Sequence, residues 1–206
     1  MSRLTPIQVN GANSELKRGL MNRRLKLKEV PNFLHLLANS PASLRAYIRA
    51  DAALVRGQLT PRQRQQVAQA VAEINCSSYS LSADYNTGKS LGLTHHEMQS
   101  ARNATAADTK AETMLRFTQA VVLQRGEVSD DEFQALRKAG FTDAQIVEIV
   151  ANIALNIFSN YFNSVAKTAV DFPLLRPGAD APRVGIAQSK TRPTTLRGRS
   201  AKTAHK

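Results

Sequence analysis

A chain with one cysteine has few routes to redox chemistry, and Cys76 is the only cysteine in these 206 residues. It can form neither an intramolecular disulfide nor a cysteine metal cluster. Redox work would be one-cysteine chemistry, with an external thiol to resolve a sulfenic acid, or would need a cofactor. Hydroxyls and carboxylates surround it in the run Glu73-Ile74-Asn75-Cys76-Ser77-Ser78-Tyr79-Ser80-Leu81-Ser82-Ala83-Asp84. Glu73 and Asp84, flanking Ser77, Tyr79 and Ser80, make a carboxylate pair able to bind a small polar ligand or exchange protons. A lone cysteine is more often a small apolar packing residue than a nucleophile, and Cys76 is expected to be buried as one. One residue along a helix also turns its side chain about 100° away from Ser77.

Other polar groupings carry less chemistry. Gly88-Lys89-Ser90 has the end of a phosphate loop, but the glycine needed five positions earlier is Ala83, and no strand precedes it. His95, His96 and Glu97 are adjacent or nearly so, which on a helix splays them about 100° apart, so they read as a capped helix start. No metal and no cofactor is expected. Asn152, Asn156, Asn160 and Asn163 recur at spacings of four and three and share one helix face. Buried amides require partners, so this row either bonds neighbouring helices or subunits or lines a pocket.

The elements that must position these residues are helices. Ser40-Pro41 and Thr60-Pro61 each supply an N-cap and a proline at the first helical position. Leu44, Tyr47, Ile48, Leu54 and Val55 follow the first; Val67, Val71 and Ile74 follow the second. Thr94 with Glu97, Ser129 with Glu132, and Thr142 with Gln145 are capping boxes. Met114 to Val122 reads as a helix ended by Gly126, and Ile146 to about Val170 as one long buried helix. Leu16, Leu20 and Leu25 suggest a basic helix broken by Pro31. No alternating runs or Asn-Gly turns argue for strands.

Glu73, Asn75, Tyr79, Leu81 and Ala83 fall on the frame E-x-N-x-C-x-Y-C-L-x-A-H without a gap. The chain therefore resembles the AhpD-like alkylhydroperoxidase / carboxymuconolactone decarboxylase family, in its peroxidase-related branch. The segments Thr87 to Thr94, Val30 to Leu34, Ala38 to Pro41 and Asn156 to Phe162 also look like this family, so the resemblance runs from about residue 5 to Phe172. It implies an all-α, AhpD-like helical bundle that assembles as a homo-oligomer. It also implies peroxiredoxin-type hydroperoxide reduction by a cysteine pair, helped by a histidine and a glutamate. At those four catalytic positions this chain carries Ser77, Ser80, Asp84 and Gln65.

The substitutions are severe. A thiolate forms near neutral pH and a serine alkoxide does not, and an amide cannot relay a proton as a carboxylate does. The expected reading is a family member silent as a thiol peroxidase and kept for ligand binding or assembly, with a small molecule in the former active site near Glu73 and Tyr79. The alternatives are a non-redox enzyme like carboxymuconolactone decarboxylase, for which no matching histidine is found, and a one-cysteine peroxidase through Cys76.

Composition bounds the rest. The net charge is +12 and the hydrophobic share 42%, with no uninterrupted apolar run long enough for a membrane span. Met1 to Pro6 lacks the pattern of a secretory signal, making the cytoplasm the expected compartment. Residues 1–175 are expected to form the helical domain. Residues 176–206 carry Arg176, Arg183, Lys190, Arg192, Arg197, Arg199, Lys202 and Lys206 against Asp180 alone. That segment reads as a disordered basic tail, either solubilising or able to touch nucleic acid and other anionic surfaces.

Overall fold

The computed structural model describes residues 2–7 and 30–178. The expected basic helix around Leu20 and the tail beyond Gly178 lie outside the described residues. Among the described residues every regular element is a helix. They are α1 (Asn32–Leu37), α2 (Pro41–Val55), α3 (Pro61–Ile74), α4 (Ser78–Ser90), α5 (His95–Arg102), α6 (Thr109–Leu123), α7 (Asp130–Lys138) and α8 (Asp143–Ala166). No single one is long and apolar enough to cross a membrane.

The helix starts are fixed by local chemistry. Thr60, Thr94, Ser129 and Thr142 each form a complete capping box, in which the cap hydroxyl and the side chain three residues on satisfy each other's backbone N–H. Their ends are set by left-handed residues: Arg125 and Gly126 after α6, and Lys167 after α8. The long helix therefore begins earlier than its apolar stripe and stops at Ala166 rather than near Val170.

Helix α3 is the hub, packed against α4, α5, α6 and α8. Its residues from Gln65 through Glu73 are all buried, which takes a helix without a solvent face. Alanines at 68, 70 and 72 let the neighbours close in, and Val67 and Val71 join Met114, Leu115, Leu136, Ile149 and Ile153 in the main core. A second apolar cluster, built from Phe33, Leu34, Leu37, Leu44, Tyr47 and Tyr79, lies where α1, α2 and α4 meet.

The approach to α3 is held from α8. The Glu148 carboxylate accepts from Gln58 N at 2.7 Å and Leu59 N at 3.1 Å. It lies so close to Gly57 that a β-carbon there would overlap it. Gly57→Ala is therefore expected to push Glu148 off both amides and cost about 1–3 kcal/mol, read as a lower denaturant midpoint at unchanged m-value.

Candidate functional site

The turn between α3 and α4 sets the site. Asn75 caps α3 and Cys76 follows at φ 51°, in the left-handed region. Cys76 N donates to Glu73 O and Ser77 N to Ala72 O, both at 3.0 Å. This pair of bonds is the Schellman arrangement that closes a helix and swings the chain outward. The expectation that Cys76 packs in the core fails: at that turn position its side chain is exposed, and it is not part of the cavity described below.

Ser77 then caps α4. Its hydroxyl donates to Ser80 Oγ at 3.1 Å, and both residues are buried. The two oxygens share one face because Ser77 is the cap and Ser80 the third residue of the helix, where unpaired backbone N–H groups concentrate. Asn163, on α8, donates from Nδ2 to Ser80 Oγ at 3.4 Å, while its Oδ1 is buried without a hydrogen-bond partner among the described residues.

Tyr79 points to the other side of α4. Its hydroxyl accepts from Phe33 N at 3.0 Å and its ring meets Phe172 edge-on at 5.9 Å. Burial first, with the Asp171 carboxylate adding to it, pushes the phenol well above its ordinary range, so Tyr79 stays neutral. Gln65 reaches from α3 to α4, its Nε2 donating to Asp84 O at 2.6 Å. Gly88 makes that approach close, since its bare backbone packs against the Met98 sulfur and the Gln65 chain.

These residues border a cleft with two lobes. The inner lobe, about 80 Å³, has a wall of Phe33, Tyr47, Tyr79 and Phe172, with Ser80 and Asn163 also lining it. The outer lobe, about 360 Å³, reaches Arg64 and Gln65. Tyr47, Asp51, Asp84, Thr87 and Asn156 border both lobes. Of the four positions that the resemblance implies, Ser80, Asp84 and Gln65 line the cleft, and Ser77 lies directly behind Ser80. The asparagine row divides: Asn152, Asn156 and Asn163 face the cleft, whereas both amide atoms of Asn160 are buried with no hydrogen-bond partner among the described residues.

Glu73 corrects the expected carboxylate pair. It does not line the cleft; its Oε2 accepts from Arg102 Nε at 2.8 Å, with both side chains buried. Its Oε1 accepts from Gly178 N at 2.6 Å, and Arg102 Nη2 donates to Arg176 O at 3.2 Å. The pair thus fastens the segment after α8 onto the core, and Leu175 N adds a bond to Ser82 Oγ at 2.9 Å. The first residues of the expected tail are accordingly docked on the helical domain. Asp51 of α2 borders both lobes together with Asp84, and nothing local in the sequence distinguishes it.

No protein-family model matches the chain, and no curated protein matches it in sequence. Solved structures do match its fold. The debrominase Bmp8 superposes with a TM-score of 0.71 at 16% identity, covering 83% of this chain and 93% of that one. An uncharacterized peroxidase-related protein from Silicibacter sp. TM1040 gives 0.70 at 21% identity, covering 82% and 91%. An alkylhydroperoxidase AhpD core protein from Ralstonia eutropha JMP134 gives 0.68 at 25% identity, covering 76% and 85%. A cysteine-to-alanine variant of Bmp8 has been solved with 2,3,4-tribromopyrrole.

The Glu73–Arg102 pair makes a measurable prediction. Arg102→Met leaves a buried carboxylate without its counter-charge and is expected to cost about 3–5 kcal/mol. The double variant with Glu73→Gln should recover much of that loss in chemical denaturation.

Proposed function

We propose that this chain, which has the AhpD-like fold of the peroxidase-related proteins, binds a small molecule in the cleft beside Ser80 and has lost thiol-dependent hydroperoxide reduction. The observation that carries the reading is the Ser77–Ser80 contact of 3.1 Å at the N-terminus of α4, bordering an open cleft. A thiol pair there would be favoured as thiolate by the helix N-terminus. One thiolate could attack the O–O bond and release an alcohol, and the second thiol could condense with the resulting sulfenic acid to a disulfide with loss of water. Two hydroxyls in the same place do neither. Gln65, turned to the Asp84 carbonyl, offers no carboxylate to move the proton.

The cleft itself remains suited to a ligand, with aromatic walls and a few polar groups at one end. The Bmp8 variant holding 2,3,4-tribromopyrrole supports this fold as one that can house a small ring compound. Cys76 favours a second reading in one respect, because its thiol is exposed to reagents. Among the described residues the cleft lining contains no histidine and no cysteine, which weighs against both the one-cysteine route in the cleft and a histidine-dependent non-redox reaction there.

The test is hydroperoxide reduction with a dithiol, comparing the chain with the variant Ser77→Cys, Ser80→Cys, Asp84→His and Gln65→Glu. Turnover by the restored variant alone is the expected result. Turnover by the unaltered chain that disappears with Cys76→Ser would overturn the reading in favour of Cys76.

Assembly belongs to the same proposal. Val147, Val150, Ala154, Phe158, Tyr161 and Val165 are exposed along α8 at spacings of three and four. That is the seam by which helices associate, and it is the surface on which the proposed homo-oligomer would close. Tyr161→Glu with Val165→Glu is expected to yield monomers by light scattering, whereas the unaltered chain should elute as a multimer.

A further inference from the structure

Three asparagines of α8 border the cleft, and Asn163 bonds differently from the other two. Asn152 Nδ2 donates to Glu148 O at 2.7 Å and Asn156 Nδ2 to Asn152 O at 2.8 Å, each folding back onto its own helix. Asn163 instead crosses to α4, where its Nδ2 meets Ser80 Oγ at 3.4 Å. Its other amide atom is left over. Asn163 is only 5% exposed and lines the inner lobe, and its Oδ1 has no hydrogen-bond partner among the described residues. A buried acceptor in this state calls for a donor from outside the chain.

Ser80, beside it, has the complementary need. Its Oγ accepts from Ser77 Oγ at 3.1 Å and from Asn163 Nδ2. A hydroxyl has two lone pairs and one hydrogen. Both lone pairs of Ser80 are therefore engaged, and its hydrogen remains without an acceptor among the described residues. Ser80 also lines the inner lobe. Other hydroxyls there are spent on the protein: Thr87 Oγ1 bonds Ala83 O at 3.0 Å, Ser159 Oγ bonds Asn156 O at 2.9 Å, and Tyr79 Oη accepts from Phe33 N at 3.0 Å. The donor on Ser80 and the acceptor on Asn163 stand side by side, because Oδ1 shares a carbon with the Nδ2 that meets Ser80.

We infer that the inner lobe binds a neutral, planar ring with a lactam edge, whose N–H donates to Asn163 Oδ1 while the adjacent C=O accepts from the Ser80 hydroxyl. This rests on the ligand-binding reading of the cleft and names its ligand class. The ring itself lies among Phe33, Tyr47, Tyr79 and Phe172. A ring of the same size that only accepts leaves Asn163 unpaired, and an apolar ring leaves both groups unpaired. A site with such groups discriminates against ligands that lack their partners.

Ligand-detected NMR titration of the full-length chain with 2-pyridone, its isomer pyridine N-oxide and benzene separates these contributions. The first donates and accepts, the second only accepts, and the third does neither. 2-Pyridone is expected to bind about tenfold or more tightly than pyridine N-oxide, with benzene weakest. Asn163→Leu should erase the preference between the two isomers. Ser80→Ala should weaken both about tenfold while the preference persists, and it serves alone if melting shows the first variant misfolded. Equal or tighter binding of the N-oxide, a preference that survives in folded Asn163→Leu, or unchanged affinities in Ser80→Ala overturn the lactam assignment but leave the cleft a ligand site. Binding of benzene alone does the same. No binding by any probe overturns both.

Discussion

The structure depends on burying α3 from every side. A helix with buried residues from Gln65 through Glu73 cannot end in the open, and its last turn carries a carboxylate that must be neutralised. Arg102 of α5 does this, and the same pair takes up the backbone at Arg176 and Gly178. A buried ion pair is weak as a source of stability because desolvation offsets most of the attraction. Its value here is geometric. It fixes where α3 stops, so the left-handed turn at Cys76 and the cap at Ser77 follow, and with them the direction of α4 and the place of Ser80.

From that turn, function divides by side-chain direction. Ser77 and Ser80 point toward α8 and the cleft, Tyr79 toward α1, and Cys76 outward. Ser77, Ser80 and Tyr79 thus serve as a cap, a cleft-lining hydroxyl and a prop for the aromatic wall. The fourth, the only thiol in the chain, stands apart from all of them. In the proposed reading, two hydroxyls at the start of α4 stand where the resemblance implies a thiol pair. The cleft beside the pair is walled by Phe33, Tyr47, Tyr79 and Phe172, with polar side chains such as Ser80, Asp84 and Asn163 among its lining.

Much of this was legible in the sequence because it is local. The capping boxes at Thr94, Ser129 and Thr142, the proline-led starts at Pro41 and Pro61, and the absence of strand patterns are short-range signals, and the helices formed where they indicated. What was missed is long-range. Glu73 meets Arg102, 29 residues on, and no spacing rule connects them. Asp51 of α2 and Asp84 of α4 line the same cleft for tertiary reasons alone. Cys76 misled because the preference of cysteine for interiors is a statement about composition, whereas its exposure is decided by a turn at φ 51°. Helix α8 ends at Ala166, short of Val170, because the backbone turns at Lys167 while apolar residues continue beyond it.

The most direct measurement of the central claim is the single-turnover oxidation of Cys76 by an alkyl hydroperoxide, followed by mass spectrometry and compared with free cysteine. Slow oxidation at the rate of an ordinary exposed thiol, unaffected by a ligand filling the cleft, is the expected result. Oxidation faster by orders of magnitude, and blocked by that ligand, would contradict it and make this chain a working peroxidase.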